Sequence, residues 1–401
     1  MPVTIRDIED AQSKIAGSVI RTPCLESIPL SEITGCRIFC KFENLQRTGS
    51  FKERGARYAL LALTPEQRRL GVIAASAGNH ALGLAWHGGL LGIPVTVVMP
   101  KAAPLIKITT CEQMGAHVIL HGATFEEARQ HAHRLGQERS LRYINGYNDP
   151  EIIAGQGTLG LEIIDQTPEV EAVIVPIGGG GLIAGVGLAI HSRRPNVKIY
   201  GVEPENVASF SAALAQNAVC NIPSRPTLAD GLAVVPVGDL AFEIAKEHLE
   251  KVITVSEDQI ALAVLRLVEI EKSVVEGAGA SPLAALLSGK LPELAGKTVV
   301  LPLCGGNIDP LVLSRVIEKG LVADGRLARI RTRVSDRPGG LAGLTRCLAD
   351  AGANVIEIVH DRAFGGPDVS AVHVICTIET KRRSHLAELK EKLEAAGYEC
   401  V

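Results

Sequence analysis

Short apolar runs, each closed by a turn and followed by a helical pattern, recur along most of this 401-residue chain. Val72–Ala75, Val95–Met99 and residues 116–120, 173–177, 198–203 and 298–303 read as strands. They are too short and too rich in β-branched residues for helices. Residues 37–42 alternate as a strand does. Helical patterns lie between them, over 5–16 capped by Thr4, from Lys52 to about 63, at 107–114 and at 124–138. Others open at Gln156, running through Ile164, at Ser256 boxed with Gln259, and at Ser281 with Pro282 in the first turn. Strands that alternate with helices call for an α/β fold, a mostly parallel sheet with helices on both faces. In such sheets ligands bind outside the carboxyl ends of the strands. Segments 48–55, 76–80, 178–181 and 304–307 all fall at or near such ends.

The pattern changes after Asp324-Gly325. A strand at 326–334, a turn into a helix at 341–351, strands at 354–360 and 369–379 and a helix at 384–396 make a βαββα unit, with 398–401 available as a last strand. The expected division is therefore a large 1–325 domain and a small 326–401 domain.

Composition closes off several function classes. Hydrophobic residues make up 46% and charged residues 21%, as in soluble globular proteins. A net charge of −3 without a basic stripe argues against nucleic acid as a partner. The nine cysteines include no Cys-x-x-Cys pair, and Cys36 and Cys40, the closest, have no second pair to complete a zinc site. A reducing, cytoplasmic setting follows, and the first residues show no basic-then-apolar leader. Residues 172–190 carry no charge and contain a Gly181/Gly185 GxxxG. Pro176 and four consecutive glycines interrupt them, so a strand, a loop and a helix fit better than a membrane span.

Within 48–55, Ser50 and Glu53 form a capping box, which makes Ser50 the N-cap and puts Lys52 in the first helical turn. The helix dipole and Arg47, Arg54 and Arg57 then surround the amine with positive charge. A lysine in a positive field has a lowered pKa, and the neutral amine is the form that attacks carbonyls. Gly178, Gly179, Gly180 and Gly181 follow a strand and open a helix, where bare backbone amides can surround a phosphate. One or two glycines would satisfy a tight turn; four favour phosphate. Gly179, Gly181 and Ala184 also fit a dinucleotide fingerprint, with Glu203 ending the next strand, so a nicotinamide dehydrogenase is an alternative. Ser76, Ala77, Gly78, Asn79 and His80 offer donors at a helix start, suited to a carboxylate. Cys304 lies at a strand end, where a thiol makes a weak partner for a cofactor atom.

The blocks Ser50-Phe51-Lys52-Glu53-Arg54-Gly55-Ala56, Ser76-Ala77-Gly78-Asn79-His80, Gly155-Gln156-Gly157-Thr158, Gly178-Gly179-Gly180-Gly181-Leu182 and Val275-Glu276-Gly277-Ala278-Gly279 together resemble the serine/threonine dehydratase family. These are pyridoxal-phosphate enzymes of the tryptophan-synthase β-subunit fold, a likeness that implies a 1–325 catalytic domain with a smaller subdomain inserted at about 71–148. Asp336-Arg337-Pro338-Gly339 within the tail resembles an ACT regulatory domain. The resemblance implies α,β-elimination of L-threonine to 2-oxobutanoate and ammonia, and of L-serine to pyruvate. Racemisation or β-replacement would be the variants on the same cofactor. By matching position, Lys52 would bind pyridoxal 5'-phosphate covalently and serve as general base. Phe51 would pack against the ring, Asn79 would bond its 3-hydroxyl, and Cys304 would face its nitrogen. Gly178, Gly179, Gly180, Gly181 and Leu182 would hold the phosphate. Ser76, Ala77, Asn79 and His80 would cradle the substrate carboxylate.

Two positions depart from the racemases of the family. Ala77 stands where they carry a proton-donating serine, which implies little racemisation. Glu203 with Ser209 resembles a potassium-type site rather than a divalent one. ACT units commonly pair, which implies a homo-oligomer, a dimer or tetramer, with an amino-acid effector at the tail.

Overall fold

The computed structural model describes residues 3–362 and 370–400. The chain divides into two compact units, Met1–Asp309 and Pro310–Val401. In chain order the first contributes β1 (Cys24–Ser27), β2 (Arg37–Lys41), β3 (Val72–Ala75), β4 (Val95–Met99), β5 (His117–Leu120), β6 (Arg142–Tyr143), β7 (Ala172–Pro176), β8 (Lys198–Pro204), β9 (Lys251–Val255) and β10 (Thr298–Pro302). Six of them form a sheet in the order β1-β2-β10-β7-β8-β9, and four form a second in the order β5-β4-β3-β6. Every pairing is parallel except β1 with β2. β7 and β10 sit in the middle of the larger sheet and are buried along their whole length. That is why they read as continuous apolar runs rather than alternating ones.

Helix boundaries differ from expectation where glycine or proline serves packing instead of punctuation. The helix expected to open at Gln156 starts at Pro150 and runs to Gln166, so Gln156 lies in its middle. Its glycines let neighbouring helices approach. A methyl on Gly155 would lie 2.5 Å from Gly55 Cα, one on Gly157 3.0 Å from Gly185 O, and one on Gly160 2.9 Å from Val186 O. Pro282 is internal to the helix Gly277–Leu287 rather than at its start. Pro282 has no N–H to donate, and the buried apolar surroundings of this helix hold it regardless. The charge-free stretch resolves into β7, a glycine turn and the helix Gly181–Arg193. Among the described residues no helix is long and apolar enough to cross a membrane.

In the second unit a helix at Pro310–Asp324, unread in the sequence, precedes β11 (Leu327–Ser335), a helix at Gly340–Asp350, β12 (Asn354–Asp361), β13 (Ala371–Glu379) and a helix at Arg383–Ala395. The antiparallel order is β11-β13-β12. Ile330, Val334, Leu344, Leu348, Val374, Ile378 and Leu389 fill its core. Val369 and Val401, at the ends of two expected strands, lie outside the described residues. Residues 398–400 form no strand. Gly397 turns left-handed at φ 87°, and the Tyr398 N–H caps the Leu393 carbonyl, which folds the chain back onto the helix it has just left.

Candidate active site

The loop before Lys52 is pinned to the end of β10. Ser50 pairs with Gly305 as an isolated bridge, the Phe51 N–H donates to the Cys304 carbonyl at 3.0 Å, and the Gly306 N–H to the Gly49 carbonyl at 2.9 Å. Because Ser50 is spent on this pairing, it is not the N-cap. Phe51 occupies that position, the helix runs Lys52–Leu61, and the buried Ser50 hydroxyl has no protein partner. Glu53 closes instead on the Thr48 N–H and on His87, whose Nε2 is 3.2 Å away.

Lys52 therefore stands at the carboxyl end of the central strands. Its Nζ donates to the Gly146 carbonyl at 2.6 Å and lies 5.2 Å from the Phe51 ring centroid. Its pKa falls to about 8. The direction is as expected but the cause is not. Removal from water lowers it, while the nearby Cys304 sulfur and Glu276 carboxyl oppose the shift. Arg54 plays no part, because it turns the other way into a buried network with Glu43 and Glu162.

The turn after β3 delivers Ser76, Ala77, Asn79 and His80 to the same place. The Ser76 hydroxyl accepts from the Gly78 N–H at 3.2 Å, and the helix Asn79–Leu91 begins there. His80 is buried, with Nε2 3.1 Å from the Ile144 carbonyl and an unpartnered Nδ1. Burial and the nearby Lys52 push its pKa down to about 3, so the ring is neutral. Asn79 Nδ2 donates to Glu276 Oε1 at 2.7 Å, and Asn307 Nδ2 donates to Asn79 Oδ1 at 2.8 Å.

The glycine run follows β7. Gly180 has φ 92°, a left-handed conformation that favours glycine, and Gly181 starts the next helix. A methyl on Gly179 would collide with the Tyr147 ring, and one on Gly181 with the Tyr147 carbonyl. The Leu182 side chain is buried in the large apolar core, leaving its backbone N–H as the part that could serve a ligand. Cys304 is buried, its Sγ 3.3 Å from the Pro302 carbonyl, and burial raises its pKa well above the usual value, so it is a thiol.

Glu203 and Ser209 lie at and just beyond the end of β8, which pairs with β7; the Ile177 N–H, just before the glycine run, donates to the Val202 carbonyl at 2.8 Å. The Glu203 carboxylate accepts the backbone N–H groups of Phe210 at 2.6 Å and Ser211 at 2.9 Å, and the Ser211 hydroxyl at 2.7 Å. It thus caps the helix Ser209–Gln216 and is not free to hold a ribose, which removes the basis of the dehydrogenase reading. The Ser209 hydroxyl is buried without a partner. Among the described residues no group of three or more His, Cys, Asp or Glu could hold a metal ion.

Two parts of the site escaped the sequence reading. One is the 145–148 loop, which supplies the Gly146 carbonyl to Lys52 and the Tyr147 ring to the glycine turn. Asn145 Oδ1, accepting from the Tyr147 and Asn148 N–H groups at 3.0 and 2.9 Å, shapes it. The Asn-Gly-Tyr-Asn composition marks only a turn. The other is Glu276 with Asn307. Glu276 lay within a quoted block but carried no role.

These residues fit pyridoxal phosphate. The lysine is partly desolvated with a lowered pKa, the glycine turn has no room for side chains, and the amine feels both the Cys304 thiol and the Glu276 carboxyl that braces the Asn79 amide. A family model described as pyridoxal-phosphate dependent enzyme matches residues 15–305, and one described as ACT domain matches 328–397. An L-threonine ammonia-lyase of Thermotoga maritima is 46% identical over 99% of this chain and 98% of its own length. The solved structure of a processed threonine deaminase from Solanum lycopersicum shares 34% identity, with a TM-score of 0.76 over 80% of this chain and 90% of that one. Maize serine racemase shares 35%, also with a TM-score of 0.76, over 80% and 99%. The chain belongs to the pyridoxal-phosphate dependent enzymes, followed by an ACT domain.

Proposed function

We propose that this chain is an L-threonine ammonia-lyase. It converts L-threonine to 2-oxobutanoate and ammonia, and L-serine to pyruvate and ammonia. The observation that carries the reading is the Lys52 amine, held by the Gly146 carbonyl at 2.6 Å with its pKa lowered to about 8. When bound, pyridoxal phosphate supplies the electron sink that makes the substrate's Cα proton acidic. Lys52 Nζ takes that proton, and about a tenth of it is already neutral at pH 7 with a pKa near 8. The 76–80 turn and the N-terminal end of the helix Asn79–Leu91 receive the substrate carboxylate. His80, uncharged, orients without adding a cation. Cys304 stays a thiol and offers a ring nitrogen only a weak contact. Gly178, Gly179, Gly180, Gly181 and the Leu182 backbone hold the phosphate, where the dipole of the helix Gly181–Arg193 favours an anion.

Ala77 has no hydroxyl to deliver a proton to the opposite face, so racemisation is a minor path despite the likeness to a serine racemase. Potassium sits beside Glu203 and Ser209; the unpartnered Ser209 hydroxyl supports this, and replacing potassium by tetramethylammonium should lower activity. The ACT domain pairs with that of a second copy in a cytoplasmic homo-oligomer and takes an amino-acid effector such as isoleucine or valine. Calorimetric titration of the full chain with these amino acids tests that. Lys52→Ala should abolish both 2-oxo acid formation and the yellow absorbance of the loaded enzyme, and retention of both would refute the assignment.

A further inference from the structure

A side-chain amide has one accepting and one donating end, and swapping them reverses what it offers a ligand. The surroundings of Asn79 permit only one orientation. The Thr48 carbonyl can only accept, so the Asn307 group 2.6 Å from it must be the nitrogen. That same nitrogen is 2.8 Å from the Asn79 amide and can only donate, so the facing Asn79 atom must be Oδ1. Asn79 Nδ2 is then 2.7 Å from Glu276 Oε1, which must accept. A single backbone carbonyl thus sets the polarity of three side chains in series. Glu276 is itself fixed, its N–H donating to the Gly305 carbonyl at 2.9 Å and its carboxylate accepting from the Asn307 backbone N–H. Gly305 leaves the room, since a methyl there would collide with Glu276 Oε1.

We propose that Glu276 and Asn307 are the positioning residues of Asn79, locking its amide so that its remaining N–H faces the bound cofactor. This rests on the proposed lyase reading, in which Asn79 meets the ring hydroxyl. Glu276 does so in either protonation state, because a proton on Oε2 leaves Oε1 free to accept. The groups acting on it are Asp230, which opposes its charge, Lys107, which favours it, and Lys52, whose own amine feels the Glu276 carboxylate. Burial, reinforced by Asp230, raises its pKa to about 7. The carboxyl therefore changes charge near neutral pH while keeping its contact with Asn79.

The test uses apoprotein freed of cofactor with hydroxylamine and titrated with pyridoxal phosphate between pH 6 and 8.5, reading affinity and the position of the absorbance band. Glu276→Ala and Asn307→Ala should each weaken pyridoxal phosphate about tenfold, as for loss of one buried hydrogen bond, and should shift the band. Glu276→Gln keeps an accepting oxygen and should stay within about threefold of the natural chain. It should also lack any change in affinity that titration of the Glu276 carboxyl produces in the natural chain near pH 7. Unchanged affinity and band position in both alanine variants would overturn the proposal. Should Glu276→Ala fail to fold, Asn307→Ala and Glu276→Gln decide alone. Lys52→Ala separates the two levels. If it loses the band and the 2-oxo acid while the alanine variants behave as the natural chain, the brace is wrong and the lyase reading stands.

Discussion

Arg54 is the place where one substitution should say most about how the active-site helix is held. The guanidinium is completely buried and makes five hydrogen bonds. Nε and Nη2 reach Glu43 at 2.8 and 2.7 Å, Nη1 and Nη2 reach Glu162 at 2.7 and 2.8 Å, and Nη1 reaches Thr158 at 3.1 Å. Lys41 completes the cluster, its Nζ 2.6 Å from Glu162. Two cations thus balance two carboxylates out of water. Arg54→Met keeps the volume and removes the charge, leaving Lys41 alone against both acids. Breaking a buried pair this way costs about 3–5 kcal/mol, because an uncompensated charge stays behind.

The pH dependence of that loss follows from Glu43. Burial pushes its pKa up, but Arg54, Lys41 and Thr22 together outweigh burial and hold it below the usual carboxylate range. Without Arg54 the burial effect prevails and the pKa rises above its unfolded value. A raised carboxyl is most stabilising below its unfolded pKa, and that stability is lost as pH rises through the folded one. The deficit of Arg54→Met should therefore be greatest near pH 8 and shrink toward pH 5. Urea unfolding followed by the fluorescence of Trp86 at both pH values measures it. Adding Glu43→Gln should restore more than about 1 kcal/mol at pH 8, the coupling expected of residues in contact. A deficit below about 1 kcal/mol at pH 8 that does not change with pH would show that the network is solvated and the reasoning wrong.

Gly155→Ala should cost about 3 kcal/mol or prevent folding, since its methyl would sit 2.5 Å from Gly55 Cα and 2.7 Å from the Arg54 carbonyl, neither able to retreat; soluble yield and urea midpoint report it. Lys52→Met in the apoprotein should be more stable than the natural chain by about 3 kcal/mol at pH 7, because the folded amine has a pKa near 8 and the unfolded one near 10.5. The sign is that of a depressed lysine: the natural chain recovers stability as pH rises from 8 toward 10.5, so the gap should narrow at pH 9.5. Glu203→Ala should cost about 1–2 kcal/mol through loss of the cap on the helix Ser209–Gln216, read as a lowered urea midpoint. Cys304→Ser should retain most activity, whereas Cys304→Asp, placing a carboxylate where a thiol now sits, should slow 2-oxo acid formation and move the cofactor absorbance.

What was legible in the sequence was whatever chemistry acts over one or two turns of chain. β7 and β10 read as apolar runs because a strand buried on both faces has no polar side to show. The capping box of Ser256 with Gln259 formed as its spacing implied. The box of Ser50 with Glu53 has the same spacing and failed, because Gly305, distant in sequence, took the Ser50 backbone into a bridge. Gln156-Gly157-Thr158 reads as the start of a helix, yet Gly157, with Gly155 and Gly160, proves to belong to its contact face, a distinction set by which helices lie opposite. The same limit hid the inner site. Lys52 could be found from its own neighbourhood, but its carbonyl partner is 94 residues away, and the carboxylate that orients Asn79 is 197 away. Local pattern names the reacting group, whereas the groups that aim it are chosen by the closure of the whole sheet. The 145–148 loop and the Glu276–Asn307 pair became visible only once β6 and β10 had brought their ends to the same place.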